Sequence, residues 1–168
     1  QAGAVDEQVG CQAAVVAGLH GGDVAVHAIG DRGNRMVLDW FGETLGSDTG
    51  RRWRIEHAQV LAPGDIARLA PIGVIASMQP THATSDMPWA QDRIGAQRIQ
   101  GAYAWQRFLA SGAKLALGSD FPVESPDPRF GLYAAVTRQD REGRPPGGWL
   151  PGQKLSPSEA LRGFTLDA

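Results

Sequence analysis

Val24-Ala25-Val26-His27-Ala28-Ile29-Gly30-Asp31 decides how this chain is read. A short β-branched run reads as a buried strand and ends in a histidine. A Gly-Asp pair then leads into a helical pattern carrying Met36, Val37, Leu38, Trp40 and Phe41. Two other stretches follow the same plan: Arg54-Ile55-Glu56-His57-Ala58-Gln59 and Leu115-Ala116-Leu117-Gly118-Ser119-Asp120-Phe121-Pro122. Each is strand-like, ends in a residue able to bind a metal, and is followed by loop and then helix-like sequence.

Working outward, Val5, Val9, Ala13, Val16 and Leu19 sit at helical spacing, so a first helix is expected over Val5–Leu19, stopped by Gly21-Gly22. Strands follow at Val24–Ala28, Arg52–His57, Val74–Gln79 and Lys114–Ser119. Helices are expected from Asp31, as N-cap, to near Gly46, from Pro63 to Leu69, from Ala96 to Ala110, from Phe130 to Gln139, and from Ser156 onward. Pro80 to Gly95 reads as a long polar and aromatic connection, a length that is unusual unless it is functional. Alternating strands and helices predict an α/β fold with a parallel sheet and right-handed crossovers.

The 168 residues are one domain by length, with 42% hydrophobic and 20% charged residues. A net charge of −2 gives no sign of nucleic-acid binding. No apolar run reaches the roughly 18 residues that cross a bilayer, so no membrane partner is expected. The first residues lack a basic stretch followed by an apolar one. The lone Cys11, placed for packing on the first helix, fits a reducing cytoplasm.

In a parallel sheet all carboxyl ends share one rim, so His27, His57 and Asp120 are expected to converge. Neutral imidazole and carboxylate are the usual ligands of a catalytic Zn²⁺ with an open position. A bound metal acidifies water and polarises a carbonyl, and a neighbouring carboxylate such as Asp120 can shuttle the proton. Each residue also has a plainer role open to it. A single strand-end histidine is ordinarily a hydrogen-bonded structural residue, and Asp120 before Phe121-Pro122 suits a turn. The same two-histidine, one-carboxylate set suits non-haem iron, which goes with a jelly-roll fold this sequence does not resemble. If Ile55 and His57 share a face, Arg54 and Glu56 turn toward the helices, an unusual place in a covered strand. His82, in the long connection, has three roles open: substrate binding, orienting a catalytic group, or capping the loop. Trp89 is a packing residue or a substrate wall.

At these residues the chain resembles the amidohydrolase superfamily, nearest the branch called amidohydrolase family 3, which includes N-substituted formamide deformylase-like proteins. The segments that carry the likeness are HAIGDR (27–32), RIEHAQV (54–60), GVIASMQPTHATSDMPWA (73–90), GAYAWQRFL (101–109), LGSDFPVESPDP (117–128) and AAVTRQDREGRPPGGW (134–149). The resemblance implies half of a TIM (β/α)8 barrel: four parallel strands, strands five to eight of the family fold, with flanking helices. It implies His27, His57 and Asp120 as metal ligands, Asp120 also as the catalytic proton shuttle, and His82 as a substrate-side residue. It further implies Zn²⁺ or another divalent metal, one or two ions, and a small-molecule substrate with an amide or other C–N bond.

The chain departs from the family pattern in having no His-x-His motif and no bridging lysine, since its only lysines are Lys114 and Lys154. It starts without Met and stops inside a helical pattern, so residues 1–168 are expected to be a partial barrel domain from a longer chain. A half barrel leaves sheet edges open, and either the missing half or a second copy in a homodimer is expected to cover them. The rival expectation is a catalytically incomplete half barrel that self-associates as a scaffold.

Overall fold

The computed structural model describes residues 15–17 and 22–168. They build around one five-stranded sheet. Strands β2 (Val24–Ala28), β3 (Arg54–His57), β4 (Ile75–Met78) and β5 (Lys114–Leu117) run parallel and pair in chain order. Val26 lies opposite Ile55, Ile55 opposite Ala76, and Ala76 opposite Leu115.

Strand β1 (Val15–Ala17) pairs antiparallel with the other edge of β2. This corrects the helix expected over Val5–Leu19 at those three residues. A Val-Val-Ala run supplies backbone partners to an edge that would otherwise be unpaired. The rest of that expected helix, with Cys11 and His20, lies outside the described residues.

Helix α1 (Asp31–Leu45) buries Asn34, Val37, Leu38, Phe41 and Leu45, a stripe at three- and four-residue spacing. Each large apolar side chain so buried contributes roughly 1.5–3 kcal/mol. The cap lies one residue earlier than expected: Gly30 is the N-cap, and Asp31, the expected cap, is the first residue of the helix, 3.3 Å from Arg98 Nε. Helix α2 (Pro63–Leu69) buries Ile66 and Leu69.

The expected Pro80–Gly95 connection is instead two helices, α3 (Pro80–Asp86) and α4 (Ala90–Arg98). Pro80 sits in the first turn of α3, where its missing N–H is no loss. Only Ala90 is buried along α4, so no apolar stripe marks it in the sequence. The helix expected over Ala96–Ala110 is broken. A 3₁₀ turn spans Ile99–Gly101, and α5 (Trp105–Ala110) starts afresh.

The break has a cause in pairing. Leu61 N–H donates to Gly101 O at 3.1 Å, and Tyr103 N–H donates to Gln59 O at 2.7 Å. Tyr103 takes φ 47° to make that contact. A Cβ at Gly101 would collide with the Leu61 carbonyl, so glycine is required there. Helix α6 (Pro128–Thr137) is capped by Asp127, which accepts from Arg129 N–H at 3.0 Å. Helix α7 (Pro157–Gly163) opens on a capping box between Ser156 and Glu159.

The core lies between the sheet and the helices, with Val26, Ile55, Leu38, Leu69, Phe108 and Leu115 fully buried. Strand alternation puts Arg54 and Glu56 on the opposite face from Ile55, and Arg54 Nε reaches Glu56 Oε1 at 2.7 Å. These charges therefore turn away from the helices, not toward them.

Candidate metal centre

The four parallel strands bring their carboxyl ends to one rim. His27 stands near the end of β2 and His57 ends β3. Gln79 follows β4, and His82 lies in the first turn of α3. Asp120 comes three residues after β5. Three backbones at this rim take left-handed conformations without being glycine: His57 at φ 72°, Ala58 at 44° and Asp120 at 57°. Each such residue stores on the order of 1–3 kcal/mol, and strain of this kind gathers at functional sites.

The turns after β2 and β3 are locked to each other. Ala58 N–H donates to Ala28 O at 3.0 Å and Val60 N–H to Ile29 O at 2.9 Å. The Asn34 amide nitrogen lies 3.0–3.3 Å from the carbonyls of Ala28, Ile29, Gly30 and Val60. His27 and His57 are carried on these two strands.

The His27 and His57 ring centroids are 4.4 Å apart in an edge-to-face arrangement. His57 and His82 stack at 5.8 Å with their planes 11° apart. Nε2 of His82 is 3.8 Å from Asp120 Oδ2. Candidate ligand atoms of His57, His82 and Asp120 all lie within 4.8 Å of one another. So the structure brings His82, expected on the substrate side, into the cluster, and places His27 beside it as the ring neighbour of His57.

The donor set fits a divalent cation. His57 Nδ1 lies 3.0 Å from Gln79 Oε1 in a buried contact. An amide oxygen only accepts, so Nδ1 carries the proton and Nε2 presents its lone pair. That is the arrangement of metal-binding imidazoles, whose other nitrogen donates to a fixed acceptor. Burial, and next the neighbouring His57, lower the His27 pKa, while Asp120 and Glu56 oppose them. Burial therefore favours the neutral imidazole that binds metal. Nε2 of His82 is buried and has no hydrogen-bond partner, an orphan of the kind that a bound group satisfies.

Trp89 stands at the N-cap of α4, about half exposed, with the Arg93 guanidinium 5.3 Å from its ring centroid. The loop after Asp120 exposes Phe121 and Val123 and is tied to α3 by Ser85 Oγ donating to Glu124 Oε1 at 2.7 Å. A cavity of about 200 Å³ opens beside the cluster, lined in part by Thr81, Ser119, Ser125 and Phe164. Sequence reasoning gave no role to Gln59, Gln79 or Asp86 and read Tyr103 as a core residue. The one signal available was the position of the two glutamines, just past the β3 histidine and the end of β4.

The model of the amidohydrolase family matches residues 10–168. The chain is 38% identical over 151 residues to Protein LONG AFTER FAR-RED 3 of Arabidopsis thaliana, covering 86% of this chain and 25% of that protein. It is 37% identical over 145 residues to the putative amidohydrolase YtcJ of Bacillus subtilis, covering 86% and 27%. The crystal structure of an uncharacterized metal-dependent hydrolase from Pyrococcus horikoshii superposes with a TM-score of 0.73 at 31% identity, over 85% of this chain and 28% of that one. The chain thus spans about a quarter of the length of the curated relatives it matches.

Proposed function

The chain belongs to the amidohydrolase family, and from that premise we propose that it forms part of the catalytic barrel of a metal-dependent hydrolase of amide or other C–N bonds. The observation that carries this reading is the convergence of candidate ligands from separate parallel strand ends: the His27 and His57 rings lie 4.4 Å apart, and ligand atoms of His57 and Asp120 lie within 4.8 Å of each other.

His27 and His57 would hold a divalent cation through neutral imidazole nitrogens, with the Asp120 carboxylate as the third ligand. A divalent cation, zinc by the chemistry of these ligands, supplies Lewis acidity that polarises a carbonyl and acidifies water. The Asp120 carboxylate would accept the proton of the attacking water and deliver it to the departing nitrogen. At 37% side-chain exposure, Asp120 is reachable by substrate. His82, across from it, contacts the substrate side. Trp89 and the segment Thr81–Trp89 wall the small-molecule pocket. A lone Cys11 suits a reducing cytoplasm, and no helix among the described residues is long and apolar enough to cross a membrane.

The test is metal content and hydrolysis of formamide-type amides by the complete gene product. His57→Ala and Asp120→Ala each lose hydrolysis, His57→Ala also loses bound metal, and both keep the wild-type circular dichroism. Full activity in both variants would sink the reading. A second reading, the 168-residue chain as a self-associating scaffold, is favoured by β5 lying at a sheet edge among the described residues.

A further inference from the structure

We propose that Tyr103 and Glu124 are positioning residues: they fix the rotation of helix α3 through Asp86 and Ser85, and so hold His82 at its spacing between His57 and Asp120. The proposal deepens the hydrolase reading and rests on it for the reaction that this spacing serves.

Helix α3 has little of its own to fix it. It is seven residues long, and its N-cap, Gln79, makes no side-chain capping bond. A helix of two turns is marginal by itself, so its setting comes from tertiary contacts. Its first half is buried, from Pro80 to Ala83. Its second half, Thr84 to Asp86, is less so, and there two side chains reach other elements.

The Tyr103 hydroxyl donates to Asp86 Oδ2. Tyr103 is a fixed post: it is 2% exposed, its N–H donates to Gln59 O at 2.7 Å, and its carbonyl accepts from Arg138 Nη1 at 2.9 Å. Gln59 stands two residues beyond His57, so this bond refers α3 to the turn that carries His57. On the other side, Ser85 Oγ donates to Glu124 Oε1 at 2.7 Å. Glu124 stands four residues beyond Asp120, so that bond refers α3 to the segment that carries Asp120. Successive residues on a helix point about 100° apart. Bonds from Ser85 and Asp86 together therefore hold α3 against rotation, where either alone would let it swing.

His82 follows that rotation directly. It lies four residues before Asp86, on the same face of the helix. Its ring is 11° from parallel with that of His57, centroids 5.8 Å apart, and its Nε2 is 3.8 Å from Asp120 Oδ2. Gln59 Nε2 is 3.3 Å from His82 Nδ1, a long contact that does not set the ring by itself. A misplacement of about 1 Å among reacting groups costs on the order of 100-fold in rate. Both tethers run from a hydroxyl to an oxygen, so they need an acceptor in place and not a charge.

The test uses the complete gene product, by steady-state hydrolysis when metal-loaded and by amide hydrogen exchange over residues 84–87 when metal-free. Tyr103→Phe is expected to lower kcat and kcat/KM together, toward the roughly 100-fold loss of a misplaced group, with bound metal unchanged and exchange faster. Glu124→Ala is expected to move both readouts the same way by less. Glu124→Gln, which keeps an acceptor for Ser85, is expected to match the wild type in both. Adding Ser85→Ala to Glu124→Ala is expected to cost nothing further, because the two remove one bond. Glu124 is at the surface, so its variants carry the test even where Tyr103→Phe fails to fold. An active protein in which Glu124→Ala leaves kcat or exchange unmoved, or in which Glu124→Gln is as impaired as Glu124→Ala, overturns the proposal. The exchange measurement needs no turnover. The expected exchange pattern in a protein without hydrolysis defeats the hydrolase reading alone.

Discussion

Asn34 is fully buried, and its single amide nitrogen serves four carbonyls on the turns that follow β2 and β3. Replacing it by an acceptor reverses every one of those contacts. Asn34→Asp, nearly identical in shape, is therefore expected to cost about 3 kcal/mol or more, because a buried charge would face carbonyl oxygens. A lowered urea midpoint with unchanged slope is the measurement. Part of the loss should return at acid pH, where the neutral carboxyl regains a donor. At this scale the sequence was half legible. His27, His57 and Asp120 announced themselves because each ends a strand-like run in a residue with metal chemistry. Asn34, Gln59 and Gln79 did not, because an amide in a turn is compositionally ordinary and its worth comes from which carbonyl or imidazole the fold brings to it. His82 could be singled out but not placed. Its partner, Gln59, lies 23 residues away in sequence, and only the tertiary structure joins them.

The parallel strands were readable from their β-branched and small apolar residues, and their ends fall within two residues of the expected ones. α3 and α4 were not, since a polar helix without a buried stripe leaves no period to detect. The broken helix before α5 is a tertiary override: residues 101–103 give up helical bonds to pair with 59–61. Gly101→Ala tests that pairing. With the new methyl driven into the Leu61 carbonyl, it is expected to lower stability by about 2–4 kcal/mol and to reduce the thermal midpoint, with a parallel loss of activity as Tyr103 leaves Gln59. Arg138 buttresses the same region from the C-cap of α6. It stacks 4.2 Å from the Trp105 ring centroid and 5.1 Å from that of Trp149, and Nε donates to Trp149 O at 2.9 Å. Burial pushes its guanidinium down to about 9, still a cation at neutral pH, so the two tryptophan faces and the carbonyls solvate the charge in place of water.

At the scale of the whole molecule, the helices cover one face of the sheet among the described residues. The other carries Arg54 and Glu56, and β5 stands at the sheet edge. An unpaired edge is a template for association. Light scattering on the 168-residue chain by itself is therefore expected to give a mass above the 17.9 kDa of one copy. A sharp monomer would argue that the edge is already satisfied. Class and parallel pairing were legible here from the alternation of strand and helix, while the order of the strands came only with the family resemblance. The antiparallel β1 was not, because a Val-Val-Ala run serves a helix and an edge strand equally well.

The ladder has one last implication. Each parallel strand lies beside the one that precedes it in the chain, so no connection threads past another. A nick in the exposed turn Ser47–Gly50 would leave the strand–helix pairings on either side intact. Two polypeptides supplied separately could then reconstitute the rim by zipping β2 against β3, with His27 contributed by one and His57, His82 and Asp120 by the other.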